Sequence, residues 1–157
     1  GAVEVAVADD QQEADALLAG RRALNPALEA RGSRFIEDVC VPVGRLAELI
    51  GACRAIAQRR GVEVTMSGHA GDGNLHPCFF FDPAEEGSRE RAEAAFGDLV
   101  AVALSMGGTI SGEHGVGSLK ARWLPGEVGA ASVERQRQVK ALFDPLGIMN
   151  PGRVYWS

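Results

Sequence analysis

The sequence of 157 residues lacks the marks of several large classes of protein. Basic residues are not in excess, and a net charge of −5 gives no electrostatic support for a partner nucleic acid. No apolar run approaches the roughly 20 residues that a membrane-spanning helix needs. The acidic start after a few apolar residues is not typical of a signal peptide. We therefore expect a cytoplasmic protein.

Cysteine is also scarce. Cys40, Cys53 and Cys78 are odd in number, widely spaced and without a CxxC pair, which is typical of reduced thiols rather than a disulfide framework. A cysteine-based zinc site is not expected, on the same ground. Neither the Walker loop nor the Rossmann fingerprint occurs, because the glycine-rich stretches have other spacings.

Apolar residues make up 46% of the chain, enough for one domain with a substantial core. Apolar periodicity predicts the order strand, helix, strand, helix, strand, strand, helix, strand, helix. Hairpin-linked strands mixed with helices indicate an α+β fold, in which an antiparallel sheet carries helices mainly on one face. The predicted strands are 3–7, 33–41, 62–67, 75–82 and 109–111.

Capping residues and helix breakers set the predicted helix boundaries. The first helix starts at an Asp9 cap and ends or kinks near Arg22 because of Pro26. The second runs over 43–60 and stops at Gly61. The remaining three are expected from Asp82–Pro83 to Met106, over 120–124 before a break at Pro125–Gly126, and from a Ser132 cap to Phe143.

Two glycine-rich loops contain all three histidines. His69 and His76 lie at the two shoulders of the predicted hairpin loop, and His114 follows Glu113 in the second loop, over 107–117. Two imidazoles and one carboxylate are a usual ligand set for an open divalent-metal site, so we predict that His69, His76 and Glu113 bind a metal. The alternative is that these histidines are only hydrogen-bonded loop residues. Asp72 is a competing ligand, although it can instead shape its Gly-Asp-Gly turn.

Two further residues have candidate roles in the site. Adjacent side chains of an extended loop point to different sides, which leaves His114 free of the metal and available as a general base. Arg21 lies on the apolar stripe of the first helix. It either snorkels to the helix edge or holds an anion in a cleft.

Three motifs together resemble the C-terminal domain of FAD-linked oxidases, the group that includes the glycolate oxidase flavin subunit, D-lactate dehydrogenase and D-2-hydroxyglutarate dehydrogenase. They are Gly-His-Ala-Gly-Asp-Gly-Asn-Leu-His (68–76), Ser-Gly-Glu-His-Gly-Val-Gly (111–117) and the segment 142–155. Gly20–Arg22 and Glu37–Pro42 also fit. The resemblance covers nearly the whole chain and implies a ferredoxin-like α+β domain, 1–157. It also implies that the chain is excised from a longer one whose N-terminal FAD-binding half is absent.

The resemblance implies a parent enzyme that oxidises a 2-hydroxy acid of glycolate or D-lactate type to a 2-oxo acid, with hydride transfer to FAD. It makes His69, His76 and Glu113 the ligands of Zn or Mn, His114 the catalytic base, and Arg21 the partner of the substrate carboxylate. Asn74, Asn150 and Arg153 would lie near the flavin. For Arg153, a solvated basic tail is an equal alternative.

Departures from the family leave the substrate open. Cys78, Ile36 and Asn25 replace polar residues of the 2-hydroxyglutarate type, which argues against that substrate. The partners implied are the N-terminal FAD-binding domain, a small 2-hydroxy acid and an unidentified electron acceptor that could place the protein at a membrane surface. A homodimer stays open. The rival hypothesis is a free-standing metal-binding α+β module or, less favoured, a metal-assisted hydrolase.

Overall fold

The structure is a computed structural model that describes residues 5–154. In chain order its elements are α1 Gln11–Arg31, β1 Arg34–Ile36, β2 Val39–Cys40, a 3-10 turn Val43–Arg45, α2 Leu46–Arg60, β3 Val64–His69, β4 Asn74–Phe80, α3 Ser88–Ser105, α4 Leu124–Val128 and α5 Ala130–Phe143.

β4 is the central strand of an antiparallel sheet. It pairs with β3 along one edge and with β1 and β2 along the other. β1 and β2 keep one register against β4, so they form one interrupted strand rather than the continuous strand predicted for 33–41. The interruption lies beside Pro77, to whose carbonyl Glu37 donates its N–H. Pro77 has no N–H to return, which explains the gap in the ladder.

The fourth strand position is nearly lost. Cys40 and Thr109 form a single antiparallel bridge in place of the predicted strand 109–111. Counting that bridge, the order across the sheet is the one expected of a ferredoxin-like domain, with the first strand between the third and the fourth. The α+β fold class is therefore confirmed.

The core lies between the sheet and the helices α2 and α3. Apolar side chains from both helices meet the same face of the sheet, and Phe79 packs edge-on to Phe96 with ring centroids 6.2 Å apart. Both rings are fully buried, and burying such a side chain contributes about 1.5–3 kcal/mol. Because alternate residues of a strand point to opposite faces, the other face remains for the site.

Helix α1 differs from its prediction at both ends. Asp10, not Asp9, is the cap: its carboxylate accepts from the Glu13 N–H, and the Glu13 carboxylate accepts from the Asp9 N–H. Pro26 lies inside the helix instead of ending it at Arg22. Both residues are exposed, so the Arg22 carbonyl that loses its helical partner can bond to water.

Helix α3 starts at Ser88, later than the predicted Asp82–Pro83. The Asp82 carboxylate accepts from the Ala84 N–H, and the Ser88 hydroxyl accepts from the Asp82 N–H. These bonds hold a turn in front of the helix. Gly87 then enters α3 with a left-handed φ of 75°.

The last two helices also begin at other residues than predicted. Pro125 does not break α4, because in the first turn its missing N–H would have no helical partner. α5 is entered through Gly129, and Ser132 makes no capping bond. By contrast α2 is confirmed, since it ends at Gly61 with φ 63°.

The predicted strand 3–7 lies partly outside the described residues, and 5–8 are not a strand. Within 5–154, no helix is both long enough and apolar enough to cross a membrane.

Candidate metal and catalytic site

The β3–β4 hairpin places two histidines on the face of the sheet opposite the core. His69 lies at a shoulder of the hairpin loop, as predicted, but it pairs with Asn74, so the loop is 70–73 and not the expected six residues. His76 is not at the other shoulder: it lies two residues further along β4, opposite Ser67. Because strand side chains alternate, His69 and His76 still share a face, and their ring centroids are 5.1 Å apart.

Glu113 reaches both histidines from the second loop. Its Oε1 lies 3.2 Å from Nε2 of His69 and 2.9 Å from Nε2 of His76. One ligand atom from each of the three groups lies within 4.8 Å of the others. This donor set fits a divalent ion, since two imidazoles and a carboxylate leave coordination positions open.

Asp72 lies elsewhere. Its N–H closes the hairpin turn on the His69 carbonyl at 3.0 Å. Its carboxylate belongs to neither of the two His/Asp/Glu clusters found in the described part of the chain, which are His69–His76–Glu113 and Asp38–His76–His114.

His114 stacks on His76, with ring centroids 4.9 Å apart and planes inclined by 17°. His114 is exposed, whereas His76 is only 8% exposed. Burial, followed by the proximity of His114, lowers the pKa of His76. His76 is therefore held neutral, the form in which an imidazole nitrogen can bind a metal.

Arg21 faces this cluster from helix α1. Arg21 lines a cavity of about 280 Å³ together with the three histidines. The cavity is lined by Arg21, Asn25, Ile36, Ser67, His69, His76, Glu113 and His114.

The apolar part of the site comes from β1 and β4. Ile36 lines the cavity and pairs with Cys78, which is buried. Burial raises the pKa of the Cys78 thiol. Neither side chain offers a charge to a substrate.

The three residues expected near a flavin lie in two places. Asn74 is buried, with Nδ2 3.4 Å from Glu113 Oε1, and its Oδ1 has no partner among the described residues. Asn150 is exposed with φ 48°. Arg153 donates to the Ser118 hydroxyl at 3.1 Å, which ties the tail to the loop that carries His114.

Asp38 is a site residue that the sequence prediction missed. Fully buried, it accepts from the N–H groups of Gly112, Glu113 and His114 and pairs with Lys120. Burial alone would raise its pKa, but the hydrogen bonds from Glu113 and Lys120 outweigh that effect and lower it well below the usual value. Its signal in the sequence was the alternation of β1 and β2, which turns Ile36, Asp38 and Cys40 to the site face.

Gly112 lets the second loop approach the hairpin. A Cβ on Gly112 would lie 2.6 Å from both Asn74 Cγ and Cys40 Sγ. Gly73 is equally constrained, since its φ is 72° and a Cβ would lie 2.0 Å from the Val41 carbonyl oxygen. Both glycines are required by close contact, in agreement with the glycine-rich pattern.

The family model described as FAD linked oxidases, C-terminal domain, matches residues 1–154. The chain belongs to this family. It is 38% identical to the glycolate oxidase subunit GlcD of Bacillus subtilis over 98% of this chain and 33% of that protein. Against the mitochondrial D-lactate dehydrogenase [cytochrome] of Arabidopsis thaliana, identity is 42% over 84% of this chain and 23% of that protein. D-lactate dehydrogenase of Archaeoglobus fulgidus is 37% identical over 98% of this chain and 34% of its own length. The chain thus spans about a third or less of these relatives.

Proposed function

We propose that this chain is the substrate domain of a flavin-dependent dehydrogenase or oxidase that converts a 2-hydroxy acid of glycolate or D-lactate type to a 2-oxo acid. The observation that supports it most is the meeting of Arg21, Glu113 and the three histidines around one cavity. The relatives named above act on glycolate or D-lactate according to their names. The family name supplies the FAD cofactor.

His69, His76 and Glu113 would hold a divalent ion, for which Zn or Mn suits the donor set. When bound, such an ion lowers the pKa of a hydroxyl that it contacts. The neutral state of buried His76 favours this ligation.

His114 removes the proton from the substrate hydroxyl. Histidine is the side chain that most often serves as a general base, and His114 lines the cavity. Its ring is fixed against His76 on one side, while the cavity lies open to substrate on the other. Arg21 pairs with the carboxylate, for which its planar guanidinium can donate two parallel hydrogen bonds.

The lining of the cavity favours a substrate with one carboxylate. Ile36 lines the cavity and Cys78 pairs with it, and neither offers a charge to a second carboxylate. This supports the glycolate or D-lactate type over a dicarboxylate.

FAD, when bound, would supply the acceptor for the hydride of the substrate carbon. The proposed flavin side of the domain consists of Asn74, which lies near Glu113, and of Asn150 and Arg153 in the tail. An FAD-binding N-terminal domain of the same parent is the proposed partner. An exposed apolar patch supports it, since such surfaces mark interfaces. The patch consists of Val139, Leu142, Phe143, Leu146, Ile148 and Met149.

The same patch disfavours a free-standing metal-binding module, which should cover its apolar residues. Free Cys40, Cys53 and Cys78 agree with the proposed cytoplasmic location, with a membrane approached only through an electron acceptor.

The full-length parent tests the assignments. His69→Ala and His76→Ala should each lose bound metal by elemental analysis, whereas His114→Ala should keep the metal but fail to reduce its flavin with D-lactate. Asp72→Asn is the matched control and should retain both properties. Unchanged metal content in both His69→Ala and His76→Ala would contradict the ligand assignment.

A further inference from the structure

Asp38 gathers an unusual number of hydrogen bonds for one side chain. Its Oδ2 accepts from three consecutive backbone N–H groups, with the bonds from Gly112 and His114 at 2.9 and 2.8 Å. Its Oδ1 accepts from the Ser111 hydroxyl at 3.2 Å. Asp38 lies within 4.8 Å of ligand atoms of His76 and His114, but neither the proposed metal site of His69, His76 and Glu113 nor the proposed proton transfer uses this fully buried carboxylate.

Lys120 closes the other end of the same loop. Its buried ammonium contacts the Asp38 carboxylate, the Asp38 carbonyl oxygen at 2.9 Å and the Glu37 carboxylate at 3.1 Å. All three ammonium protons therefore have acceptors on the Glu37–Asp38 dipeptide. The loop 112–120 is therefore bonded to Asp38 at both ends, through its first backbone amides and through Lys120.

The bonds fix the backbone where the function needs precision. Glu113 and His114 are adjacent, and both of their amides point at the same carboxylate oxygen. Their side chains must then leave the loop in set directions, one to the histidine pair and one onto the His76 ring.

We propose that Asp38 is a positioning residue that holds Glu113 and His114 in register with each other through their backbone amides. This inference rests on the proposed function, because Glu113 and His114 are there the metal ligand and the base. Lys120 serves it by neutralising the buried carboxylate and anchoring the end of the loop.

The test distinguishes the loss of the hydrogen-bond acceptor at position 38 from the loss of its buried charge. It uses the flavin-loaded, full-length parent. Asp38→Leu/Lys120→Met removes both charges of this pair and both side-chain acceptors at position 38, whereas Asp38→Asn/Lys120→Met restores one side-chain acceptor oxygen. Replacing a buried ion pair by apolar side chains is often tolerated by the fold. Asp98→Asn, which removes a carboxylate paired with Arg59 and Arg60 away from the site, is the control.

Three readouts are compared: amide hydrogen exchange over 111–115, Mn²⁺ binding by electron paramagnetic resonance without substrate, and kcat and KM with D-lactate. The Leu/Met variant should keep its flavin spectrum, exchange these amides faster, bind Mn²⁺ more weakly and lose about 100-fold in kcat, as a displacement near 1 Å predicts. The loss in kcat should exceed the rise in KM. The kcat of the Asn/Met variant should be about tenfold higher than that of the Leu/Met variant, because one hydrogen-bond acceptor returns.

Turnover and exchange in the Leu/Met variant equal to those of Asp98→Asn would overturn the proposal, as would equal impairment of the Leu/Met and Asn/Met variants. If the Leu/Met variant loses its flavin, Asn/Met is compared with Lys120→Met alone, and equal kcat and exchange in that pair also overturn it. A wild-type parent that neither binds Mn²⁺ nor oxidises D-lactate would instead refute the proposed function. The amide exchange would still decide whether Asp38 holds the loop.

Discussion

Replacing Gly112 by alanine should damage the site far more than the addition of one methyl group suggests. The new Cβ would lie 2.6 Å from Asn74 Cγ and Cys40 Sγ, whereas ordinary contacts begin at 3.4 Å, so the groups must separate by about 0.8 Å. Cys40 and Asn74 are both fixed by strand pairing, and Asn74 is also buried. The second loop is therefore expected to move, carrying Glu113 and His114 with it.

The required separation of about 0.8 Å determines the size of both the loss of stability and the loss of rate. Overpacking of a tight contact costs about 1–3 kcal/mol of stability. A displacement near 1 Å of catalytic groups costs about 100-fold in rate. Gly112→Ala should thus lower both the melting temperature and the rate of flavin reduction by D-lactate.

The matched control is Gly71→Ala, in the hairpin loop. A Cβ there meets nothing within 4 Å, and the φ of Gly71 is not left-handed. Both variants are measured in the full-length parent by thermal melting and by stopped-flow flavin reduction. If Gly112→Ala matches Gly71→Ala in stability and rate, the contact geometry inferred at Gly112 is wrong.

Three other changes test separate parts of the structure. Arg21→Lys should raise KM for D-lactate by about tenfold, since lysine cannot form a two-bond pair with a carboxylate. The melting temperature should change little because position 21 is exposed. An unchanged KM would show that Arg21 does not bind the substrate. Asp98→Asn should cost about 0.5–1 kcal/mol at neutral pH. The pKa of Asp98 is lowered chiefly by the hydrogen bond from Arg60. The ionised Asp98 carboxylate therefore stabilises the fold above the ordinary pKa of 3.8, and this stabilisation disappears as pH falls through the lowered pKa. Unfolding curves of wild type and Asp98→Asn should therefore converge in acid, and a constant difference would refute this. Cys53 should escape iodoacetamide in the native protein, because burial raises the pKa of its thiol to about 11, and should be labelled after denaturation; native labelling detected by mass spectrometry would contradict its burial.

The sequence predicted best what local patterns determine. Helix α2 and its stop at Gly61 followed from apolar periodicity and a left-handed glycine. The hairpin that presents His69 followed from two apolar runs around a glycine-rich loop. The family followed from three motifs and is confirmed by the match over 1–154.

Long-range contacts explain what the sequence could not predict. Pro26 was expected to end or kink α1 near Arg22, and the helix does not end there, because an exposed helix can leave the Arg22 carbonyl to water. The start of α3 moved because Ser88 and Asp82 bond to each other across six residues.

At the site, the missed residue was Asp38. No local pattern shows that a carboxylate in an interrupted strand will bind amides more than 70 positions later in the chain. Strand alternation indicated its face, and only the fold brought the loop 112–120 to it.

Anaerobic addition of D-lactate to the full-length parent tests the central claim most directly, with the visible flavin spectrum as the readout. The account predicts an oxidised-flavin spectrum that bleaches with wild type and persists with a His114→Ala variant that retains its metal. A colourless parent, or a flavin that bleaches equally well without His114, would contradict it.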